Sequence, residues 1–234
     1  MQLKFLPLYT LCFLLLGCFQ DKSRLKGTLK LPPYEDLIAS VENQRTAFQK
    51  EYMNADEESR SRIEHKATSY LLEKITHDFF EQWYGTEWDF NGTTRTPRKG
   101  KIACGYFITT VLLDAGFKIP RVKWAQQASE YYITRMTTEV KRFSNKSPEF
   151  MKGYFLDQPD GLFVAGLDNH VGFVYKSGKK VTFTHASYYD PQTGVQTEEL
   201  DGDNPFAKSA YRVVGHILNR EMIRKWILGE SWEV

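Results

Sequence analysis

The apolar pattern of this 234-residue chain changes period once, near Gly161, and that change limits the folds open to it. Before it, apolar residues recur at steps of three and four, the period of a helix with one buried face. Tyr34 to about Met53 carries Leu37, Val41, Phe48 and Tyr52 on one side. Asn54 reads as a new cap, with Glu57 three residues on. A longer helix then runs to Trp83, with Ile63, Ala67, Leu71, Ile75, Phe79 and Trp83 at four-residue steps. After Cys104, Phe107, Ile108, Val111, Leu112 and Ala115 predict a buried helix that Gly116 would end. Residues 122 to about 143 read as one more helix, and 144–159 as loop. From Gly161 the segments 162–167 and 171–175 are strand-like, Ser177-Gly178-Lys179 is a hairpin turn, and 181–185 is the return strand. Residues 211–218 predict a further strand and 221–228 a short closing helix. Helices first and an antiparallel sheet after them predict an α+β fold.

Charge narrows the partners. Thirty-one basic residues nearly balance twenty-nine acidic ones, for a net +2, and no basic stripe offsets that balance, so nucleic acid is not an expected partner. With 41% apolar and 15% aromatic residues the chain can build a sizeable core, as one domain or one domain with an appendage.

The N-terminus reads as a targeting segment: Lys4 supplies a basic start, and residues 11–16 form an apolar run too short to span a membrane comfortably. Leu15-Leu16-Gly17-Cys18 resembles a bacterial lipoprotein box. That resemblance implies removal of a signal peptide, lipidation of Cys18, and a membrane-anchored protein facing the periplasm or cell surface. An ordinary signal peptide cut nearby is the alternative. Residues 19–33 then form a polar tether closed by Pro32-Pro33. Loss of the leader removes Cys12 and lipidation consumes Cys18, so Cys104 is the only free thiol of the mature chain.

A lone cysteine on an apolar helix is often a buried, inert side chain. Two features argue for more here. At a helix N-terminus the unpaired N–H groups and the dipole favour a thiolate, and Arg98, Lys99 and Lys101 would add to this if turned toward it. Folding at the Ser177-Gly178 turn also brings His170 and His185 nearly opposite each other, within a residue of register. One imidazole can serve as base and the other polar group can hold it in the right tautomer. His65 and His77 have no partner at metal-ligand spacing and read as structural or exposed.

Ala103-Cys104-Gly105 opening a helix, Asn169-His170-Val171-Gly172-Phe173-Val174-Tyr175, and Thr184-His185-Ala186-Ser187 resemble, in that order, the motifs of NlpC/P60 cysteine peptidases. The resemblance covers residues 84 to about 190 and implies a papain-like catalytic domain over 84–234. It makes Cys104 the nucleophile, His170 the base and His185 the orienting residue. Tyr84, in Tyr84-Gly85-Thr86, would match an active-site tyrosine upstream of the cysteine. It further implies an amide bond of peptidoglycan stem peptides as substrate, with no cofactor and no metal. The usual Asp-Cys-Ser-Gly reads Ala103-Cys104-Gly105-Tyr106 here, and the helical region 34–83 has no counterpart in the minimal family domain.

Two other readings use the same residues. Residues 104–121 also resemble the cysteine helix of transglutaminase-like enzymes, in which Asp190 would replace His185 as third catalytic residue. A non-catalytic, lipid-anchored cell-wall binding module would instead use Trp83, Tyr84, Trp88 and Phe90 as a platform. A metal site from Cys104, His170 and His185 is disfavoured, because no close ligand pair nucleates it.

Overall fold

The computed structural model describes residues 31–232. The expected leader, Cys18 and most of the tether lie outside the described residues.

Helix α1 (Tyr34–Met53) forms where its stripe predicts, and Leu37, Val41, Phe48 and Tyr52 are all buried. The cap of α2 (Glu57–Glu73) is Asp56 and not Asn54: its carboxylate accepts the Ser59 N–H at 2.8 Å, while Asn54 closes the C-terminus of α1. Only the residue directly before the first helical turn has the geometry to reach the third N–H. The helix continues through a π turn (Lys74–Phe79) into α3 (Phe80–Trp83). Side chains at strict four-residue steps drift by roughly 40° per step on an α-helix. The wider turn counters that drift, and all six stripe residues from Ile63 to Trp83 stay buried.

A short parallel pair, β1 (Glu87–Trp88) and β2 (Lys101–Ile102), leads into α4 (Cys104–Asp114). The single helix expected over 122–143 is instead α5 (Arg121–Ala125), α6 (Ser129–Met136) and strand β3 (Val140–Ser144). In an unbroken helix Trp124 and Tyr132 would stand about 12 Å apart along the axis. The break at residues 126–128 lets their rings stack at 5.9 Å and 11°, and that aromatic burial outweighs helix continuity. The loop expected over 144–159 contains α7 (Pro148–Leu156), capped by Ser147 with Pro148 in its first turn.

Strands β4 (Gly161–Leu167), β5 (Val171–Ser177), β6 (Lys180–Ala186), β7 (Val195–Glu199) and β8 (Tyr211–His216) complete a six-stranded antiparallel sheet in the order β3-β8-β4-β5-β6-β7. Helices α8 (Pro205–Lys208) and α9 (Arg220–Leu228) finish the chain. The fold is α+β, with both faces of the sheet covered. Val164, Val171, Phe173 and Val213 face a core shared with α1–α6 and α9. Phe163, Val174, Phe183 and Val214 face a second core under α7 and α8.

The N-terminal helices are joined to α4 by polar as well as apolar contacts. Trp83 Nε1 donates to Tyr34 Oη at 2.9 Å, and Tyr34 donates to the buried Asp114 at 2.8 Å. Arg95 donates to the same carboxylate at 2.7 Å. Phe107 of α4 lies against Trp83 and against Phe173 of β5, with ring centroids 6.2 and 5.9 Å away. These contacts seat the start of α4 against the start of β5.

Candidate active site

Cys104 is the first residue of α4, and the residue before it, Ala103, has no side chain that could cap the helix. An alanine at this position costs roughly 0.5–2 kcal/mol against a capping residue. In exchange the first N–H groups stay free for an anion. Gly105 has its own reason: a Cβ there would lie 2.7 Å from the carbonyl oxygen of Ala125, so its absence lets the end of α5 close over the start of α4. Ala103 and Gly105 therefore shape the surroundings of the sulfur on either side of it.

His170 lies just before β5, and its Nε2 is 2.8 Å from Nδ1 of His185 on β6. His185 is fully buried, and its Nε2 is 2.6 Å from Oε2 of Glu198 on β7. The carboxylate accepts, so His185 Nε2 carries a hydrogen, and in the neutral ring its Nδ1 is the acceptor. His170 Nε2 must then donate. Its remaining nitrogen, Nδ1, is left as the basic atom, and this atom is buried with no hydrogen-bond partner. His185 and Glu198, on two neighbouring strands, thus assign the tautomer of the imidazole just before β5.

The two histidines are not directly opposite. Phe173 pairs with Thr184, so one further step sets His185 against Gly172, two residues along from His170. The diagonal contact is open because Gly172 has no side chain. A Cβ there would fall 2.3 Å from the Phe183 ring and 3.0 Å from the His185 Cβ. Phe183 stacks on His185 at 4.5 Å and packs against Phe206 at 5.5 Å, so its ring has nowhere to retreat. Gly172→Ala is expected to cost about 1–3 kcal/mol by overpacking and to lower the melting temperature by about 2–4 °C per kcal/mol. Thermal unfolding monitored by circular dichroism checks this; an unchanged midpoint would contradict it.

Burial dominates the ionisation of the dyad. Desolvation raises the Cys104 thiol above its ordinary 9.0, against the opposing pull of the N–H groups of Gly105, Val171 and Cys104 itself. Burial, and then the neighbouring His185, hold His170 well below its ordinary 6.5. Both shifts favour neutral forms, so the resting pair is thiol and neutral imidazole. Burial thus works against the thiolate expected from the helix start. Two of the three upstream cations are engaged elsewhere: Arg98 donates to the carbonyls of Tyr84 and Glu81, and Lys101 pairs with Glu87 at 3.4 Å.

Cys104 and His170 line two adjoining cavities, of about 590 and 420 Å³. The larger includes Trp88, Phe90, Tyr106, Gln126 and Tyr188 in its wall and no charged side chain. The smaller includes Tyr132, Glu130 and Asp168. Trp88 is held there by the 84–88 segment, whose backbone is tied to residues 191–195: Gly85 N donates to Val195 O, Val195 N to Thr86 O, and Trp88 N to Pro191 O. Its ring meets Tyr188 at 5.9 Å, and Tyr188 meets His170 at 5.1 Å.

Of the residues singled out in the sequence, Cys104, His170, His185 and Trp88 come together here. Tyr84 does not line either cavity; its hydroxyl lies 2.7 Å from that of Thr197. Asp190 is not brought to His170, because its carboxylate accepts from Thr193 N and holds the exposed turn before β7. Glu198, Tyr132 and Tyr188 were missed. Val195-Gln196-Thr197-Glu198 is too short and too polar to read as a strand, so the sequence carried no usable signal for Glu198. Among the described residues, no group of three His, Cys, Asp or Glu side chains is placed to hold a metal ion. Comparison with protein-family models, with curated proteins and with solved structures finds no match to this chain.

Proposed function

We propose that the chain is a cysteine hydrolase of the NlpC/P60 type, with a papain-like arrangement of helix and sheet, that cleaves an amide bond in peptidoglycan stem peptides. The observation that carries this reading is the free Nδ1 of His170, oriented by His185 and Glu198 and lining the same cavities as Cys104. A core histidine with a purely structural role would have both nitrogens satisfied.

In the proposed reaction His170 Nδ1 removes the Cys104 proton as substrate arrives, since neither group is charged at rest. The sulfur attacks the carbonyl carbon, and the charge passing to the carbonyl oxygen is met by the free N–H of Cys104 at the helix start. The His185–Glu198 pair stabilises the imidazolium formed on His170. That proton then passes to the leaving amine as the C–N bond breaks. A water, deprotonated by His170, clears the acyl group from sulfur and regenerates the thiol. We also propose, from the Leu15-Leu16-Gly17-Cys18 motif, that the enzyme is lipid-anchored at Cys18 outside the cytoplasm.

Digestion of purified muropeptides, with products identified by mass spectrometry, tests the activity. The wild-type chain is expected to release stem-peptide fragments. Asp190→Ala is expected to keep activity within about threefold of wild type, because its carboxylate caps a turn at the surface. Loss of activity in Asp190→Ala with retention in His185→Ala would overturn the assignment in favour of a Cys-His-Asp enzyme. No cleavage of any muropeptide by wild type would remove the proposed substrate.

A further inference from the structure

The larger cavity at Cys104 combines two kinds of side chain and leaves out a third. Its rings include Trp88, Phe90 and Tyr188, its polar groups include the exposed amides of Asn91, Gln126 and Asn169, and no charged side chain lines it. Phe90 is the member that folding explains least. Its ring is 79% exposed, and it shares this wall with the two other aromatic residues, so it is not an apolar side chain stranded alone on a surface.

The turn that carries Phe90 is fixed, and it is fixed to the segment that leads into the nucleophile. Asn91 N donates to the Asp89 carboxylate at 2.8 Å, and Gly92 N donates to the Asp89 carbonyl at 2.9 Å. Ala103 N, one residue before Cys104, donates to Gly92 O at 2.8 Å. A Cβ on Gly92 would fall 2.5 Å from Ile102 N, so the absence of a side chain is what lets the turn lie this close. A clamped turn that holds an apolar ring out in solvent is preorganised. A ligand that stacks on it beside Cys104 has little left to order.

The chemistry of that ligand follows from what the wall can satisfy. The carboxylates of a stem peptide find no cation in it. A purely apolar side chain would cover the rings but strip water from amides that it cannot hydrogen-bond. An N-acetylated sugar suits both. One face of its ring is a flat array of C–H groups that can lie on an aromatic side chain, and its rim carries hydroxyl and acetamido groups that amides can both donate to and accept from. We infer that the larger cavity is a carbohydrate subsite, which takes the N-acetylated sugar bearing a stem peptide and makes glycan-linked peptides better substrates than free ones. The inference rests on the proposed peptidoglycan hydrolase and adds which part of that substrate fills this cavity.

Two measurements on the full chain test it, and one of them needs no catalysis. The first compares kcat/KM for a disaccharide-linked stem peptide with that for the same peptide N-acetylated and free of sugar. The linked form is expected to be favoured by at least about tenfold, chiefly through KM, and Phe90→Ala to cut that preference to about threefold or less. Circular dichroism checks that the variant is folded. The second follows alkylation of Cys104 by iodoacetamide with and without chitobiose, an uncharged disaccharide of N-acetylglucosamine. Chitobiose is expected to slow alkylation in wild type, and about tenfold more of it to be needed in Phe90→Ala. Equal kcat/KM for the two peptides would overturn the inference, assign the wall to a peptide residue and leave the proposed function standing. Alkylation that chitobiose does not slow would overturn it as well. A chain that chitobiose protects through Phe90, and that cleaves neither peptide, would lose the proposed function and keep the sugar site.

Discussion

Cys104→Ser is expected to reduce muropeptide cleavage by at least about 10³-fold while leaving the fold intact. Serine is close in size, and Cys104 is only partly buried, so the substitution opens no cavity of consequence. The loss comes from chemistry. The helix start and His170 Nδ1 together can deprotonate the thiol, but an alcohol is a far weaker acid. The neutral imidazole, held well below 6.5 by burial, is a weak base on which to draw for that harder proton. The measurement is kcat/KM on muropeptides, with circular dichroism as the check on folding. A Cys104→Ser chain that retains a tenth of wild-type activity would show that the sulfur is not the nucleophile, and the aromatic wall of Trp88, Phe90 and Tyr188 would then read as a binding surface.

His185→Ala is expected to lower kcat by about 10²–10⁴-fold with a much smaller change in KM. Without His185, nothing fixes the hydrogen of His170 on Nε2, and part of the imidazole population would present an N–H to the sulfur instead of a lone pair. The imidazolium also loses the Glu198 carboxylate behind it. The substitution removes a side chain stacked at 4.5 Å on Phe183 and should cost about 2–4 kcal/mol of stability, so assays belong well below the unfolding range. Two further variants separate orientation from packing. His185→Gln keeps an acceptor for His170 and should recover part of the loss. Glu198→Gln removes charge without moving β7 and should cost about tenfold, since an amide oxygen still accepts from His185 Nε2. Equal activity in His185→Ala and wild type would sink the relay.

Much of this arrangement was legible in the residues themselves. Phe107, Ile108, Val111, Leu112 and Ala115 mark α4 because a helix returns to one face every three to four residues, whatever packs on it. The hairpin at Ser177-Gly178 sets the register of β5 and β6, and so puts His170 and His185 within reach of each other. The edge strands were not legible. β3 and β7 carry few apolar residues, because one side of each faces solvent or a polar neighbour, so Glu198 stood in no recognisable element. Tyr132 was hidden differently: it fell in a helix that splits in two for the sake of its stack on Trp124.

The protonation of the site belongs to the tertiary structure alone. Local sequence places a cysteine at a helix start, and the dipole there favours a thiolate by about 0.3–1 kcal/mol at an exposed site. Desolvation by the tertiary packing around Cys104 is the larger effect and opposes it. Short-range periodicity therefore determined which residues would meet. Whether they carry charge when they do was decided by what else had to be packed around them.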